Sequence, residues 1–438
     1  MTATELVAFV CCDLGSIVRG RSLPTAQLGA RLAAGVGWVP ANLSITPLGL
    51  VAEETPFGST GDLRLLPDAE TQVRVEARSE EESALEFVLC DIVGTDGQPW
   101  ECCPRTFLRN ALDELDRELG VRVTASFEHE FQLLTDAPAG APFSLEAQRR
   151  VDPLGPELMR ALLQAGAEPE LFFAEYAASQ FEIPVSTADG LAAADRSVVV
   201  REVVRDTARR HGERASFAPL LDPDTAGNGV HIHLSLSDAE GRPLLYDSSR
   251  AGSLSELAGR FAAGILRHAG ALVAITAPSP VSALRLAPHR WSVGGVCVAE
   301  ANREALLRIP SFVTLAGGEP ALQMRLEYRA ADAAANPYLA LGAIVRAGLD
   351  GVREKLPPAP VLDRDANIVE AAESGSEGVA TLPPSLGEAL EALAADPGAR
   401  GWLGPLLYDA YVGVKRSELR ATAELDAREV CRRYAAIY

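Results

Sequence analysis

Two carboxylates stand at alternate positions of an apolar stretch in the first half of the chain. Residues 125–133 alternate in polarity, so a strand there places Phe127 and Phe131 on one face and Glu128 and Glu130 on the other. Carboxylates at positions i and i+2 of a strand lie about 6–7 Å apart. Their burial is costly unless a cation lies between or beside them.

Three further stretches alternate in the same way. Their polar positions are Gln180 and Glu182, then His231, His233 and Ser235, and then Gln323, Arg325, Glu327 and Arg329. Glu175 lies just upstream of the first of these stretches. Five carboxylates and one histidine suit an oxygen-rich site for two divalent ions such as Mg²⁺ or Mn²⁺.

Arginines accompany these acidic positions: Arg285, Arg303, Arg308, Arg325 and Arg329. Guanidinium groups bind phosphate and carboxylate oxygens in a bidentate manner. Metal ions together with arginines are the components that transfer a phosphoryl group from a nucleotide. The residues therefore predict a metal-dependent ATP enzyme that acts on a small acidic molecule.

Composition excludes several other classes. The 438 residues carry a net charge of −20, which disfavours nucleic acid and anionic membranes as partners. The only lysines are Lys355 and Lys415, and neither follows a glycine-rich loop, so a P-loop is excluded. The seven cysteines lack zinc-site spacing, and no signal peptide or membrane span is evident. We expect a cytoplasmic protein with reduced thiols.

The pattern of elements predicts an α+β protein. Short strands and turns fill the first hundred residues, and helical spacing begins after the proline-flanked stretch 99–104. Residues 186–211, 254–275 and 336–349 are predicted helices. We expect a small, mostly β domain over 1–104 and a larger catalytic domain over 105–438.

Several segments, taken in order, resemble the glutamine synthetase family in its bacterial type I form and the related γ-glutamyl-amide ligases. The matching segments are 127–131 (FEHEF), 175–182 (EYAASQFE), 227–236 (GNGVHIHLSL), 302–310 (NREALLRIP), 325–329 (RLEYR) and 336–338 (NPY). The resemblance implies a β-grasp-like N-terminal domain on an α/β catalytic domain. It also implies a homo-oligomer, a dodecamer of two hexameric rings, with active sites between neighbouring subunits.

The resemblance also implies roles for single residues. Glu130, Glu175 and Glu182 would hold one metal ion, and Glu128, His231 and Glu327 a second, with two to three Mg²⁺ or Mn²⁺ per site. Arg285, Arg329 and the backbone at Gly227 would bind glutamate. Arg303 and Arg308 would face the transferred phosphate of ATP, with His233, Ser235 and Arg325 nearer the nucleotide.

The sequence departs from the family where ammonia would bind. Trp291 stands where ammonia-using members carry a glutamate that takes a proton from ammonium, and His289 is a nearby candidate base. Residues 33–38 (AAGVGW) contain no counterpart of the ammonium-binding aspartate. An indole can pack an alkyl or aryl amine, or hold a cationic amine against its π face. Ala226 replaces an asparagine that contacts glutamate.

These departures favour an ATP-dependent ligase that joins the γ-carboxylate of glutamate to an organic primary amine through a γ-glutamyl phosphate. Three alternatives stay open at this point. The first is an ammonia-using glutamine synthetase, the second is a non-catalytic scaffold, and the third is a ligase for another acid, which Ala226 leaves in view.

Overall fold

The computed structural model describes residues 5–79, 82–135, 140–287 and 292–438. Its strands are β1 Leu6–Cys12, β2 Val18–Pro24, β3 Val36–Trp38, β4 Leu63–Pro67, β5 Val73–Val75, β6 Leu85–Gly94, β7 Arg122–Leu133, β8 Phe173–Ala174, β9 Gln180–Ile183, β10 Ala188–Asp189, β11 Ala215–Ser216, β12 Val230–Ser237, β13 Gly295–Glu300, β14 Ala305–Ile309, β15 Leu326–Tyr328 and β16 Val361–Leu362. Its helices are α1 Leu28–Leu32, α2 Pro104–Leu119, α3 Leu145–Arg149, α4 Leu154–Gln164, α5 Gly190–Arg210, α6 Glu256–Arg267, α7 Ala269–Thr276, α8 Pro280–Arg285, α9 Pro320–Gln323, α10 Pro337–Arg353, α11 Ile368–Ser374, α12 Leu386–Ala395, α13 Pro397–Thr422 and α14 Ala427–Ala435.

The N-terminal strands form one six-stranded sheet in the order β2-β1-β6-β4-β3, with β5 also paired to β6. β1 and β6 run parallel, with Ala8 opposite Phe87, and every other pair in this sheet is antiparallel. The short apolar strands predicted for this part of the chain are confirmed at β1 and β6.

The larger sheet has ten strands in the order β16-β13-β14-β15-β12-β7-β9-β8, and β10 and β11 also pair with β7. α5 packs against β7, and α10 packs against α2, α5 and α6. Phe127 and Phe131 of β7 are buried, as their alternation predicts. A small sheet domain followed by a larger domain of mixed helices and sheet confirms the predicted α+β class.

Two elements differ from the sequence prediction. The predicted helix over 254–275 is two helices, α6 and α7, which meet at His268. The strand predicted from residue 323 is shorter, because Gln323 ends the short helix α9 and exchanges hydrogen bonds with the backbone of Val313. Gln323 therefore does not share a strand face with Glu327.

Buried ion pairs join the N-terminal sheet to the larger domain. Arg105, at the start of α2, donates to Asp195 of α5 at 2.9 and 2.8 Å, to Asp68 at 2.8 Å and to Asp91 at 3.4 Å. The hydroxyl of Tyr338 donates to the same Asp195 at 2.7 Å. Each of these charges has an opposite charge beside it, which is what a buried charge requires.

Among the described residues, no helix has the length and apolarity needed to cross a membrane.

Candidate active site

Four neighbouring strands bring the polar positions together. β15, β12, β7 and β9 are adjacent in the large sheet, so their alternate side chains meet on one face. The cross-strand pairs are His231 with Glu128, His233 with Glu327, and Glu130 with Glu182. Register alone therefore collects residues from distant parts of the sequence.

Glu128 lies between two imidazoles. Its Oε2 is 3.5 Å from Nδ1 of His231, and its Oε1 is 3.0 Å from Nε2 of His233. Glu128, His233 and Glu327 each offer a ligand atom within 4.8 Å of the others. Nδ1 of His231 lies 3.8 Å from Glu327, so both imidazoles adjoin the two carboxylates.

The histidines and arginines favour the ionised forms of these acids. Burial acts to raise the pKa of Glu128, but the adjacent imidazoles of His231 and His233 outweigh it, and the pKa falls well below its usual range. Burial likewise acts to raise the pKa of Glu327, which His231 and Arg329 nevertheless lower to about 2.

A second group of carboxylates has the opposite electrostatics. Glu182 is only 8% exposed, and its pKa is raised to about 10 by burial and by the charges of Glu130, Glu128 and Glu175. The pKa of Glu175 is also raised, by burial and by Glu130. Oε2 of Glu130 accepts from the backbone N–H of Gly229 at 2.9 Å and from Gln180 at 3.2 Å. The charge of Arg303 favours ionised Glu175, but it does not balance the crowding of these acids.

The donor set suits hard divalent ions. Carboxylate oxygens are the ligands that Mg²⁺ and Mn²⁺ prefer, and Mn²⁺ also accepts an imidazole nitrogen. The charges of Glu130, Glu128 and Glu175 all oppose ionisation of Glu182, and the buried Nε2 of His233 forms no well-aligned hydrogen bond among the described residues. The residues present therefore fit the ions that the resemblance implies.

Arginines border both groups of acids. Arg308 donates to Oε2 of Glu327 at 2.5 Å, and Arg329 donates to its Oε1. Arg325 donates to Nδ1 of His233 at 3.3 Å. The exposed Arg303 is close enough for its charge to favour the ionised form of Glu175. Four of the five predicted arginines thus border the two groups of acids.

Ser235 is the predicted nucleotide ligand that fits its role least well. Its hydroxyl donates to the carbonyl of Met324 at 3.0 Å, so its proton is used within the sheet.

Arg285 is buried beside the glycine-rich turn and adjoins the group of acids that includes Glu130. Its Nη2 donates to the carbonyl of Ala331 at 2.9 Å, while its Nε is buried without a hydrogen-bond partner among the described residues. A Cβ at Gly227 would lie 2.7 Å from Cγ of Arg285, so glycine allows this approach. Among the described acids, Asp332 lies nearest, with its Oδ2 3.9 Å from Nε of Arg285.

Sequence reasoning assigned no role to three residues that shape the site. The amide of Gln180 donates to Glu130, to the carbonyl of Gly227 at 2.9 Å and to Oδ1 of Asn228 at 3.0 Å, so it fixes one cluster against the turn. Gln180 and Asn228 lie inside two of the segments that match the family, and this position could have indicated a role at the site. Asp332 offered no such indication, because its neighbours are small apolar residues.

Trp291 and His289 lie outside the described residues. Residues 33–38, the other departure from the family, run from the end of α1 into β3. Arg64 donates to the carbonyls of Ala34 at 2.5 Å and Gly35 at 2.9 Å, so a positive charge is anchored on this segment.

Comparison with known proteins agrees with this geometry. The family profile described as "Glutamine synthetase, catalytic domain" matches residues 101–434, and "Glutamine synthetase N-terminal domain" matches residues 1–100. The chain belongs to the glutamine synthetase family. Members of this family are ATP-dependent ligases, and so is this protein.

Three similar proteins each match most of this chain. Gamma-glutamylpolyamine synthetase GlnA3 of Streptomyces coelicolor is 34% identical over 98% of this chain and 92% of its own length. Glutamine synthetase of Halobacterium salinarum is 33% identical over 82% of this chain and 79% of its own. A crystal structure of a "novel glutamine synthase homolog" superposes with a TM-score of 0.92 at 46% identity, covering 100% of this chain and 99% of that one.

Proposed function

We propose that this protein joins the γ-carboxylate of glutamate to an organic primary amine, with ATP as co-substrate and γ-glutamyl phosphate as the intermediate. The observation that carries the proposal is the single sheet face on which carboxylates, two imidazoles and arginines meet. That face combines metal-ligating oxygens with groups that bind phosphate, beside a buried arginine suited to a substrate carboxylate.

In the first step, an oxygen of the γ-carboxylate attacks the terminal phosphorus of ATP, and ADP leaves. Arg303 and Arg308 neutralise the charge on the transferred phosphoryl oxygens, while Arg325, His233 and Ser235 lie toward the nucleotide. Arg285 holds a carboxylate of glutamate through its unpartnered Nε, with Arg329 and the backbone at Gly227 completing the pocket.

In the second step, the amine nitrogen attacks the acyl carbon, and the phosphate leaves as the amide bond forms. The amine gives up one proton, so the attacking form is neutral. His289 and Trp291 are the sequence candidates for accepting that proton and for lining the acceptor pocket.

The metal ligands follow the two groups of acids. Glu130, Glu175 and Glu182 would hold one ion, and Glu128, His231 and Glu327 a second, with His233 near enough to contribute. Bound Mg²⁺ or Mn²⁺ would neutralise charge that develops on the phosphoryl oxygens.

The acceptor is an amine larger than ammonia. Residues 33–38 carry no acid to hold ammonium, and the guanidinium of Arg64 is anchored there instead. The Streptomyces relative is named for γ-glutamylation of polyamines, and the net charge of −20 attracts such cations. We therefore favour a di- or polyamine among the organic amines.

Family members are generally oligomeric, and we propose a dodecamer of two hexameric rings. The segment 33–38 would then reach the site of a neighbouring subunit. We also propose that 1–104 is the N-terminal domain and 105–438 the catalytic domain.

The test is phosphate release with ATP, Mg²⁺ or Mn²⁺ and glutamate, across ammonia and a panel of alkyl, aryl and diamine acceptors, with mass spectrometry of each product. We expect a γ-glutamyl amide to form with an organic amine at a kcat/KM well above that for ammonia. Turnover best with ammonia would instead make this protein a glutamine synthetase, the name that the Halobacterium relative carries.

A control acid tests recognition of glutamate, and the full panel of acids and amines separates a ligase from a non-catalytic scaffold. Replacing glutamate by glutarate, which keeps the γ-carboxylate but lacks the α-amino group, tests recognition of the acid. Silence with every acid and every amine would contradict any ligase role.

A further inference from the structure

Two aromatic rings stand exposed beside the acidic groups, and no step above uses them. The side chains of Phe143 and Tyr176 are 58% and 49% exposed, and their ring centroids are 6.4 Å apart with an angle of 53° between the planes. Clustered exposed apolar side chains often mark a binding site, whereas single ones are common on any protein surface.

Hydrogen bonds tie both residues to Glu175. The backbone N–H of Phe143 donates to the carbonyl of Glu175 at 3.4 Å, and the backbone N–H of Tyr176 donates to the carboxylate Oε2 of Glu175 at 3.1 Å. Two separate loops therefore place these residues beside an acid that we assign to the metal site.

The backbone around this pair is strained on both sides. Phe143 has a φ of 57°, and Ser179, at the position where the family segment has glycine, has a φ of 52°. A bulky residue in the left-handed region is uncommon and points to a local constraint. The sequence thus keeps a phenylalanine where glycine would be easier, and holds its ring outward.

We propose that Phe143 and Tyr176 form the subsite for the distal, cationic end of a diamine or polyamine acceptor; this inference rests on the proposed ligase function. The faces of phenyl and phenol rings attract ammonium groups, and the attraction is stronger when water is excluded. An amine whose neutral end attacks near Glu175 would lay its charged end across the rings.

The decisive comparison uses two acceptors of equal chain length, n-butylamine and 1,4-diaminobutane. Apolar packing contributes equally to the binding of both amines. Attraction to a π face strengthens the binding of the diamine alone, because only the diamine carries a second ammonium group. The variants are Phe143→Leu and Tyr176→Leu, which keep apolar volume and remove the π face. Tyr176→Phe restores that face, and Leu145→Ala changes a 71%-exposed neighbour on the same segment.

We expect Phe143→Leu and Tyr176→Leu to raise the KM for 1,4-diaminobutane about tenfold relative to the KM for n-butylamine, with kcat changed less than about twofold. Tyr176→Phe and Leu145→Ala should keep the wild-type ratio of the two KM values. An unchanged ratio in both leucine variants would overturn the subsite, as would a loss of assembly mass by light scattering, which would make the pair a subunit contact.

Hydroxylamine separates failure of the subsite from failure of the proposed function. If the wild-type enzyme forms γ-glutamyl hydroxamate while the KM ratio is insensitive to the variants, only the subsite is wrong. Hydroxamate formation without any turnover of 1,4-diaminobutane also overturns it. If no hydroxamate forms with ATP and glutamate, the ligase function fails, and the subsite fails with it.

Discussion

Two buried arginines in this molecule have opposite surroundings. Arg105, at the junction of the two sheets, has hydrogen bonds to Asp195, Asp68 and Asp91. Arg285, at the candidate active site, is 5% exposed and has a buried Nε without a partner among the described residues. Both lie in low-dielectric surroundings, where an unpaired charge is costly.

The acidic residues show the same contrast between the junction and the candidate active site. At the junction, Asp195 accepts from Arg105 and from Tyr338, so its charge is balanced inside the chain. At the site, Glu182 lies among Glu130, Glu128 and Glu175, and its charge is opposed. Charges at the junction are compensated within the chain. At the site, histidines and arginines balance Glu128 and Glu327, whereas the charge of Glu182 is opposed until a ligand arrives.

The largest effect is expected when the ion pairs of Arg105 at the junction of the two sheets are removed. Arg105→Met leaves the buried Asp195 and the half-buried Asp68 without their cation, so the free energy of unfolding should fall by about 3–5 kcal/mol. Urea unfolding measures it. Arg109→Met is the matched control, because Arg109 is half-exposed and contacts Asp91 at 2.9 Å, and its loss should cost less than about 1 kcal/mol. Equal losses in the two variants would contradict the contrast.

The second prediction reverses the sign of the stability change at the site. Glu182→Gln removes one of four crowded carboxylates, so unfolding in EDTA should require about 1 kcal/mol more than for the wild-type protein. Phosphate release should nevertheless fall at least about a hundredfold, because a metal ligand is lost. A variant that is less stable in EDTA would show that Glu182 is compensated inside the chain.

The third prediction concerns Arg285, whose Nε has no hydrogen-bond partner among the described residues. Arg285→Lys keeps the charge but loses the planar group that binds a carboxylate in a bidentate manner, so the KM for glutamate should rise about tenfold. The KM for ATP should change much less. A rise in the KM for ATP alone would instead assign Arg285 to nucleotide binding.

The smallest effect tests a half-buried ion pair far from the site. Nδ1 of His268 lies 2.6 Å from Asp396, and although burial acts to raise the pKa of Asp396, the hydrogen bond from His268 lowers it below 3.8. The folded pKa lies below the unfolded value, so the pair contributes stability above about pH 4 and loses it as the pH falls further.

Asp396→Asn should therefore lower the free energy of unfolding by about 1 kcal/mol at pH 7, and this difference should shrink at pH 3. Asparagine still caps the helix, so the charge alone is tested. The control is the exposed Glu391→Gln on α12. A difference that stays constant with pH would exclude the ion pair as its cause.

Sequence alone predicted the elements of the site better than its internal connections. Period-two alternation gave strands β7, β9 and β12, and the family resemblance grouped their acids before their register was seen. Neither the alternation nor the resemblance indicated the hydrogen-bond network of Arg105, because its partners lie up to 90 residues away and carry no local pattern. The same limit hid Phe143, whose backbone N–H donates to the carbonyl of Glu175 from a different loop.

The helix over 254–275 was predicted too long for a related reason. Apolar periodicity continues through His268, whose side chain instead turns to Asp396 and packs against Trp402 at 4.9 Å between ring centroids. Tertiary partners decided where α6 ends, and local propensity did not.

The central claim is that ATP phosphorylates the γ-carboxylate before the amine attacks. The most direct measurement uses glutamate labelled with ¹⁸O in both γ-carboxylate oxygens, together with ATP, Mg²⁺ and 1,4-diaminobutane, and mass spectrometry of the released phosphate. We predict one ¹⁸O atom in each phosphate, because one carboxylate oxygen leaves with the phosphoryl group. Unlabelled phosphate formed alongside the γ-glutamyl amide would contradict the account.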